Sequence, residues 1–239
     1  KILEKQLTDQ CNIQLDEIEL KKEEFSTGKQ FFVEEGNTSA FFIEDETLFL
    51  IDCGESVFSK IVQTNLLKVN RIKEVFCFIT HMHGDHTGSL SSLIYYCAYM
   101  DITHPIHISI VCHNDYMTEE LHQMLTSQGC ANLFDYVSIE TLSRRNYRNF
   151  NEVKFIRTTH QDHHPAFCIE FKTDNGRVFY SGDTRGLELI RTYIQKDKID
   201  QIYLEATSLD YPGNVHLPLN ALNEIIPTVL RSKVYLMHF

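Results

Sequence analysis

Six consecutive residues, His81-Met82-His83-Gly84-Asp85-His86, hold four side chains able to ligate a metal. Imidazole and carboxylate suit zinc and similar divalent ions. Residues two apart in an extended loop point the same way, so His81 and His83 can share one ion. Gly84 permits a sharp backbone turn, which carries Asp85 and His86 toward a second position. Two ligands for each of two positions leave both incomplete, because a zinc site usually takes four, water included. Distant residues must supply the rest.

The motif follows Val75-Phe76-Cys77-Phe78-Ile79, an apolar run that reads as a buried strand. The missing ligands are therefore expected at the ends of other strands, and four candidates stand there. His160 follows the strand Val153–Arg157, Asp183 follows Val178–Tyr180, Glu205 follows Ile202–Leu204, and His238 follows Val234–Met237. One polar residue leaving a strand is ordinary; their recurrence beside the hexapeptide marks a site.

Further strands are expected at Ala40–Ile43, Leu48–Ile51, Ile106–Val111, Tyr136–Ile139 and Ala166–Phe171, with one or two more within residues 1–24; a more clearly patterned region begins at Phe31–Val33. Helices are expected over 56–68, 89–100, 115–127, 186–195 and 218–230, the last with Pro218 at its start. Glu44-Asp45-Glu46 and Thr173-Asp174-Asn175-Gly176 read as hairpin turns. No repeat or linker interrupts the pattern, so residues 1–239 read as a single domain.

Composition narrows the class. The chain has 239 residues and an ordinary hydrophobic fraction of 43%. No apolar run approaches the roughly 20 residues that cross a bilayer, and no secretory leader is visible at Lys1, so a cytoplasmic protein without a membrane partner is expected. Seven cysteines, an odd number with no Cys-x-x-Cys pair, read as buried reduced thiols rather than a metal site. A net charge of −11 does not draw the chain to nucleic acid. The basic group Arg144, Arg145 and Arg148 around Tyr147 reads as a solvated loop, not a phosphate grip.

These residues together resemble the metallo-β-lactamase superfamily over about Phe31–His238. HMHGDH matches its first metal motif, Asp52 its usual carboxylate after the preceding strand, and His160, Asp183 in SGDT and His238 in LMHF its later ligands. The resemblance implies an α/β (α+β) fold: an αβ/βα four-layer sandwich of two mixed β-sheets with helices on the outer faces. It also implies two divalent ions, zinc first and manganese second. His81, His83 and His160 would hold one, Asp85, His86 and His238 the other, and Asp183 would bridge them. Asp52 is expected to fix a ligand histidine or a loop amide rather than to ligate.

Glu205-Ala206-Thr207, His216 and LMHF resemble the ribonuclease Z-like phosphodiesterase branch, as do IDCGE (Ile51–Glu55) and the Asn37-Thr38-Ser39 turn. There a glutamate orients a histidine that protonates the leaving oxygen, which implies those roles for Glu205 and His216. Two departures count against tRNA processing. Only residues 161–182 separate His160 from Asp183, where those enzymes usually carry a tRNA-clamping arm, and Leu204 stands where they often have a histidine. Anti-Pycsar-type phosphodiesterases, which open cyclic nucleotides, share the core without that arm. The chain stops one residue after His238, where a closing helix is usual, and reads as truncated there.

The function expected is hydrolysis of a small or cyclic nucleotide phosphodiester. Two ions about 3.5–4 Å apart lower the pKa of a shared water, and the resulting hydroxide attacks phosphorus. Asp85 would steer that hydroxide and His216, held by Glu205, would protonate the departing oxygen. His163 and His164, just past His160, are candidates for substrate contact. The alternatives are a ribonuclease Z-type tRNA 3′-processing endonuclease, a lactone or thioester hydrolase of the same fold, and a sequestering protein with structural metals. A small phosphodiester or nucleotide is the expected partner in preference to long nucleic acid, and the chain is expected to form a homodimer.

Overall fold

The apolar runs build two mixed sheets in the computed structural model, which describes residues 13–14, 39–113, 115–145, 147, 152–173, 176–195 and 199–238. The chain forms two compact units with one sheet each: a first unit, Gly36–Tyr147, and a second unit, Arg148–Phe239 with Lys1–Glu35.

The first unit carries five strands: β2 (Ala40–Glu44), β3 (Thr47–Ile51), β4 (Glu74–Phe78), β5 (His107–Val111) and β6 (Asp135–Tyr136), ordered β2-β3-β4-β5-β6. β2 runs antiparallel to β3, with Glu44 opposite Thr47 across a two-residue loop. Asp45 takes φ 52 there, a left-handed conformation that a short polar side chain tolerates. β3 through β6 are parallel. Every residue of β3 is buried, as are Val75–Phe78 of β4, which explains unbroken apolar runs in place of alternation. The helix Leu90–Tyr99 buries Leu90, Leu93, Ile94 and Cys97, a single helical stripe. The helix Asp115–Ser127 buries Met117, Leu121 and Leu125 in the same way.

The second unit carries β1 (Ile13–Gln14), β7 (Glu152–Thr158), β8 (Ala166–Thr173), β9 (Gly176–Tyr180), β10 (Gln201–Glu205) and β11 (Val234–Met237), ordered β1-β11-β10-β9-β8-β7. β9, β10 and β11 are parallel. β8 runs against β9 and β7 against β8, so β7 points the same way as β9. Phe179, Ile202, Leu204, Val234 and Leu236 from the strands pack with Ile190, Tyr193 and Ile194 of the helix Leu187–Gln195 and with Leu222 of the helix Leu219–Ile225.

Three expected elements differ. The helix expected over 56–68 breaks into Val57–Gln63 and Leu66–Val69, because Asn65 turns left-handed at φ 53. The strand expected to reach Ile139 stops at Tyr136: the Ser138 hydroxyl accepts the Thr141 amide at 3.2 Å and caps the helix Ile139–Ser143. The helix expected to reach Leu230 ends at Ile225, since Pro227 forces the preceding residue out of helical geometry, and a 3₁₀ turn follows over Thr228–Lys233. Phe31–Val33, Asn37, Thr38, Asp174 and Asn175 lie outside the described residues. No helix among the described residues is long and apolar enough to cross a membrane.

Candidate metal centre

In each sheet the chemistry-bearing residues leave the carboxyl ends of strands that point the same way. In the first unit β3 ends at Asp52 and β4 ends before His81. In the second, His160, Asp183, Glu205 and His238 follow β7, β9, β10 and β11. Open sheets with parallel strands place ligands at that end.

The first unit's donors are oriented by one carboxylate. Asp52 is fully buried. Its Oδ1 accepts the Thr80 amide at 2.8 Å, and its Oδ2 accepts the Thr80 hydroxyl at 2.7 Å and His86 Nδ1 at 2.8 Å. Asp52 thus fixes both a loop amide and a histidine. A carboxylate only accepts, so His86 carries its proton on Nδ1 and presents bare Nε2. Asp85 Oδ2 lies 3.6 Å from that nitrogen. His81 Nε2 faces His83 Nδ1 at 3.0 Å.

Backbone bonds staple the Asp52–Gly54 turn to the motif. Cys53 N donates to the His86 carbonyl at 2.7 Å, and Ser89 N donates to the Cys53 carbonyl at 3.1 Å. The Ser89 hydroxyl accepts the Phe58 amide at 3.1 Å and donates to the Gly54 carbonyl. Asp52 itself sits at φ 60.

The second unit brings together Asp183, Glu205, His216 and His238, with His160 beside them. Asp183 Oδ2 lies 3.7 Å from His160 Nε2 and 3.5 Å from His238 Nε2, the placement a bridging oxygen needs. His160 Nδ1 bonds the Val215 carbonyl at 2.9 Å, so its Nε2 is the bare nitrogen. Glu205 is fully buried. One of its oxygens accepts the Thr184 amide and the other accepts His216 Nδ1 at 2.6 Å. The Ser181 hydroxyl accepts the Glu205 amide at 2.9 Å, so the SGDT loop holds both ends of this residue. His238 sits at φ 64.

The donor sets fit divalent ions. Nitrogens bound to zinc at 2.0–2.1 Å in a tetrahedron stand about 3.3 Å apart. The donor pairs within each unit are spaced at 3.0–3.7 Å, which brackets that edge. All ten donor and orienting residues expected from sequence follow strands within one unit or the other, Asp85 and His86 on the one-turn helix Gly84–Thr87.

Other expected residues stand apart from this chemistry. His163 and His164 are exposed in the loop before β8. Arg145 pairs with Glu74, stacks 5.1 Å over the Phe76 ring and adjoins Tyr147, whose hydroxyl donates to Glu74 at 3.0 Å. It braces the sheet from an exposed turn, where Arg144 is exposed as well. Among the described residues six cysteines are free thiols, and burial pushes Cys53 and Cys97 up to about 12. Sequence reasoning missed Thr80, Ser89, Thr184 and Val215. Thr80 had a signal, standing directly before the first histidine. Val215 had none, since its carbonyl acts whatever its side chain.

Comparison with known proteins follows the same lines. The family described as Anti-Pycsar protein Apyc1 matches residues 25–239. A relative of that description from Saccharibacillus brassicae is 26% identical over 89% of this chain and 87% of its own. Another, from Bacillus phage BSP38, is 25% identical over 80% and 77%. A ribonuclease Z of Methanococcus maripaludis is 36% identical over 83 residues, 34% of this chain and 23% of its own. Among solved structures, the metallo-β-lactamase fold protein YhfI from Bacillus subtilis matches with a TM-score of 0.61 at 15% identity, covering 87% of this chain and 80% of that one. Human tRNase Z, short form, matches at 0.58 with 20% identity, covering 85% and 86%. These likenesses establish the metallo-β-lactamase fold, in its ribonuclease Z-like branch, as the sequence motifs imply.

Proposed function

The chain belongs to the family of Anti-Pycsar protein Apyc1, hydrolases of the metallo-β-lactamase fold, and from that premise we propose that it is a dinuclear metal-dependent phosphodiesterase acting on small or cyclic nucleotides. The observation that carries the phosphodiester reading is the pairing of His216 with Glu205. A buried carboxylate that holds a histidine by one nitrogen favours the protonated ring, and such a ring can deliver from its other nitrogen the proton that an alkoxide leaving group requires.

His81, His83, Asp85, His86, His160, Asp183 and His238 are the proposed ligands of two ions, zinc or manganese. When bound, the ions supply acidification of water and neutralisation of phosphoryl charge. The chain's own residues do the rest. Asp85, partly open to solvent, accepts a hydrogen bond from the attacking water and orients its lone pair. His216 donates from Nε2 to the departing ribose oxygen as the P–O bond breaks. Glu205 keeps the ring turned for that transfer. Asp183 places one oxygen beside both His160 and His238.

Small diesters are favoured over tRNA because β8 and β9 use up most of the chain between His160 and Asp183. The relatives covered along most of their length are also those of the Apyc1 description.

The test is turnover of a panel of 3′,5′-cyclic mononucleotides by protein purified without chelator. Ring opening to a nucleoside monophosphate, abolished by chelator and restored by zinc or manganese, is the expected result. Hydrolysis of a lactone or thioester, with cyclic nucleotides untouched, would overturn it.

A further inference from the structure

Thr80 is fully buried and lies between Asp52 and the first histidine of the motif. Its hydroxyl oxygen stands 2.7 Å from Asp52 Oδ2 and 3.1 Å from His81 Nδ1. A hydroxyl has one proton to give. The carboxylate can only accept, so that proton goes to Asp52, and toward His81 the same oxygen can only accept. His81 Nδ1 must then carry hydrogen, and its Nε2, facing His83, is bare. Asp52 meets His86 directly at 2.8 Å and is linked to His81 through the Thr80 hydroxyl.

We propose that Thr80 is a positioning residue that relays the Asp52 carboxylate to His81, fixing the His81 tautomer so that Nε2 is always the metal-facing nitrogen. One buried carboxylate then governs two ligand histidines, His86 by contact and His81 through a hydroxyl. The inference rests on the metal-centre reading above and not on the choice of substrate. Its chemistry asks for a β-hydroxyl at position 80 and nothing more. Serine should serve, and valine, equal in shape, should not.

The experiment uses the full chain, stripped of metal and titrated with zinc alone against a chelating dye, with histidine tautomers read from side-chain ¹⁵N shifts. In the metal-free wild type, His81 is expected to be protonated at Nδ1. Thr80→Val should weaken zinc binding about 10–100-fold, the usual effect of losing an orienting partner, and should admit the Nε2-protonated form of His81. Thr80→Ser should restore both. The loss should fall on one binding step, while Asp52→Asn should weaken both. A wild-type His81 protonated at Nε2 overturns the relay even if Thr80→Val fails to fold. So does a Thr80→Val chain that binds zinc like wild type, or a Thr80→Ser chain as weak as Thr80→Val. A wild-type chain that takes up no metal instead overturns the metal-centre reading, and the relay with it.

Discussion

His216 Nδ1 lies 2.6 Å from Glu205 Oε2, and that oxygen belongs to a carboxylate with no exposure to solvent. In the proposed mechanism the pair separates two kinds of hydrolysis. An alkoxide needs a proton as it leaves, whereas a p-nitrophenolate departs almost unaided. His216→Ala should therefore lower turnover of a cyclic nucleotide by about 10²-fold or more. It should affect bis-p-nitrophenyl phosphate far less and leave metal content unchanged. Glu205→Gln should follow the same pattern more weakly. Equal losses on both substrates, or loss of metal, would assign His216 another role.

Asp183 Oδ2 stands within reach of two histidine nitrogens. Its removal should unseat both ions at once. Elemental analysis of wild-type protein should give close to two ions per chain, and Asp183→Ala should lose most of that metal together with activity. Full activity in a metal-free preparation would refute the dinuclear reading.

Substrate size provides a third check. At equal concentration, cleavage of small diesters should exceed cleavage of a precursor tRNA, and the long RNA should bind weakly to a chain of net charge −11. Site-specific removal of a tRNA trailer would reverse that order.

The thiols give a pH dependence with a definite sign. Burial lifts Cys53 and Cys97 from the ordinary 9.0 to about 12. Below 9.0 the thiols are protonated in both the folded and the unfolded chain, and their contribution to stability is fully present. As pH rises past 9.0 the unfolded chain ionises first, so stability falls up to about 12. Native protein at about pH 8 should resist iodoacetamide at both positions in mass spectrometry and become labelled only in denaturant. Rapid labelling under native conditions would contradict the burial.

Ribonuclease Z-like proteins commonly pair, and a homodimer is proposed here as well. Light scattering at micromolar protein should return twice the chain mass. A monomer mass would reject it.

Much of the site was legible because its residues obey strand logic. An apolar run ends, a polar residue follows, and the coincidence repeats for His81, His160, Asp183, Glu205 and His238. Leu204, where the resemblance to tRNA-processing enzymes implies a histidine, is instead fully buried in the second unit's core. What escaped were groups whose partner lies far along the chain and to which the resemblance assigns no role. Thr80 is marked only by its place before the first histidine, and its role shows once Asp52 is beside it; Ser89 stands at the head of an expected helix, and nothing local ties its hydroxyl to Phe58 and Gly54. The break at Asn65 escaped for a different reason: helical periodicity continues across it, and only the backbone shows the turn.

The left-handed backbone at Asp52 and His238 has a consequence for heredity. Glycine apart, aspartate, asparagine and histidine are the residues that enter this region most readily, while β-branched and bulky side chains are outliers there. A gene library randomised at either position should return folded chains enriched in those few residues, with valine and isoleucine nearly missing. Two of the three are metal donors and the third differs from aspartate by one group. Drift at these positions is thereby channelled: among the side chains that residue 238 accepts most readily besides glycine, aspartate and histidine keep a donor there.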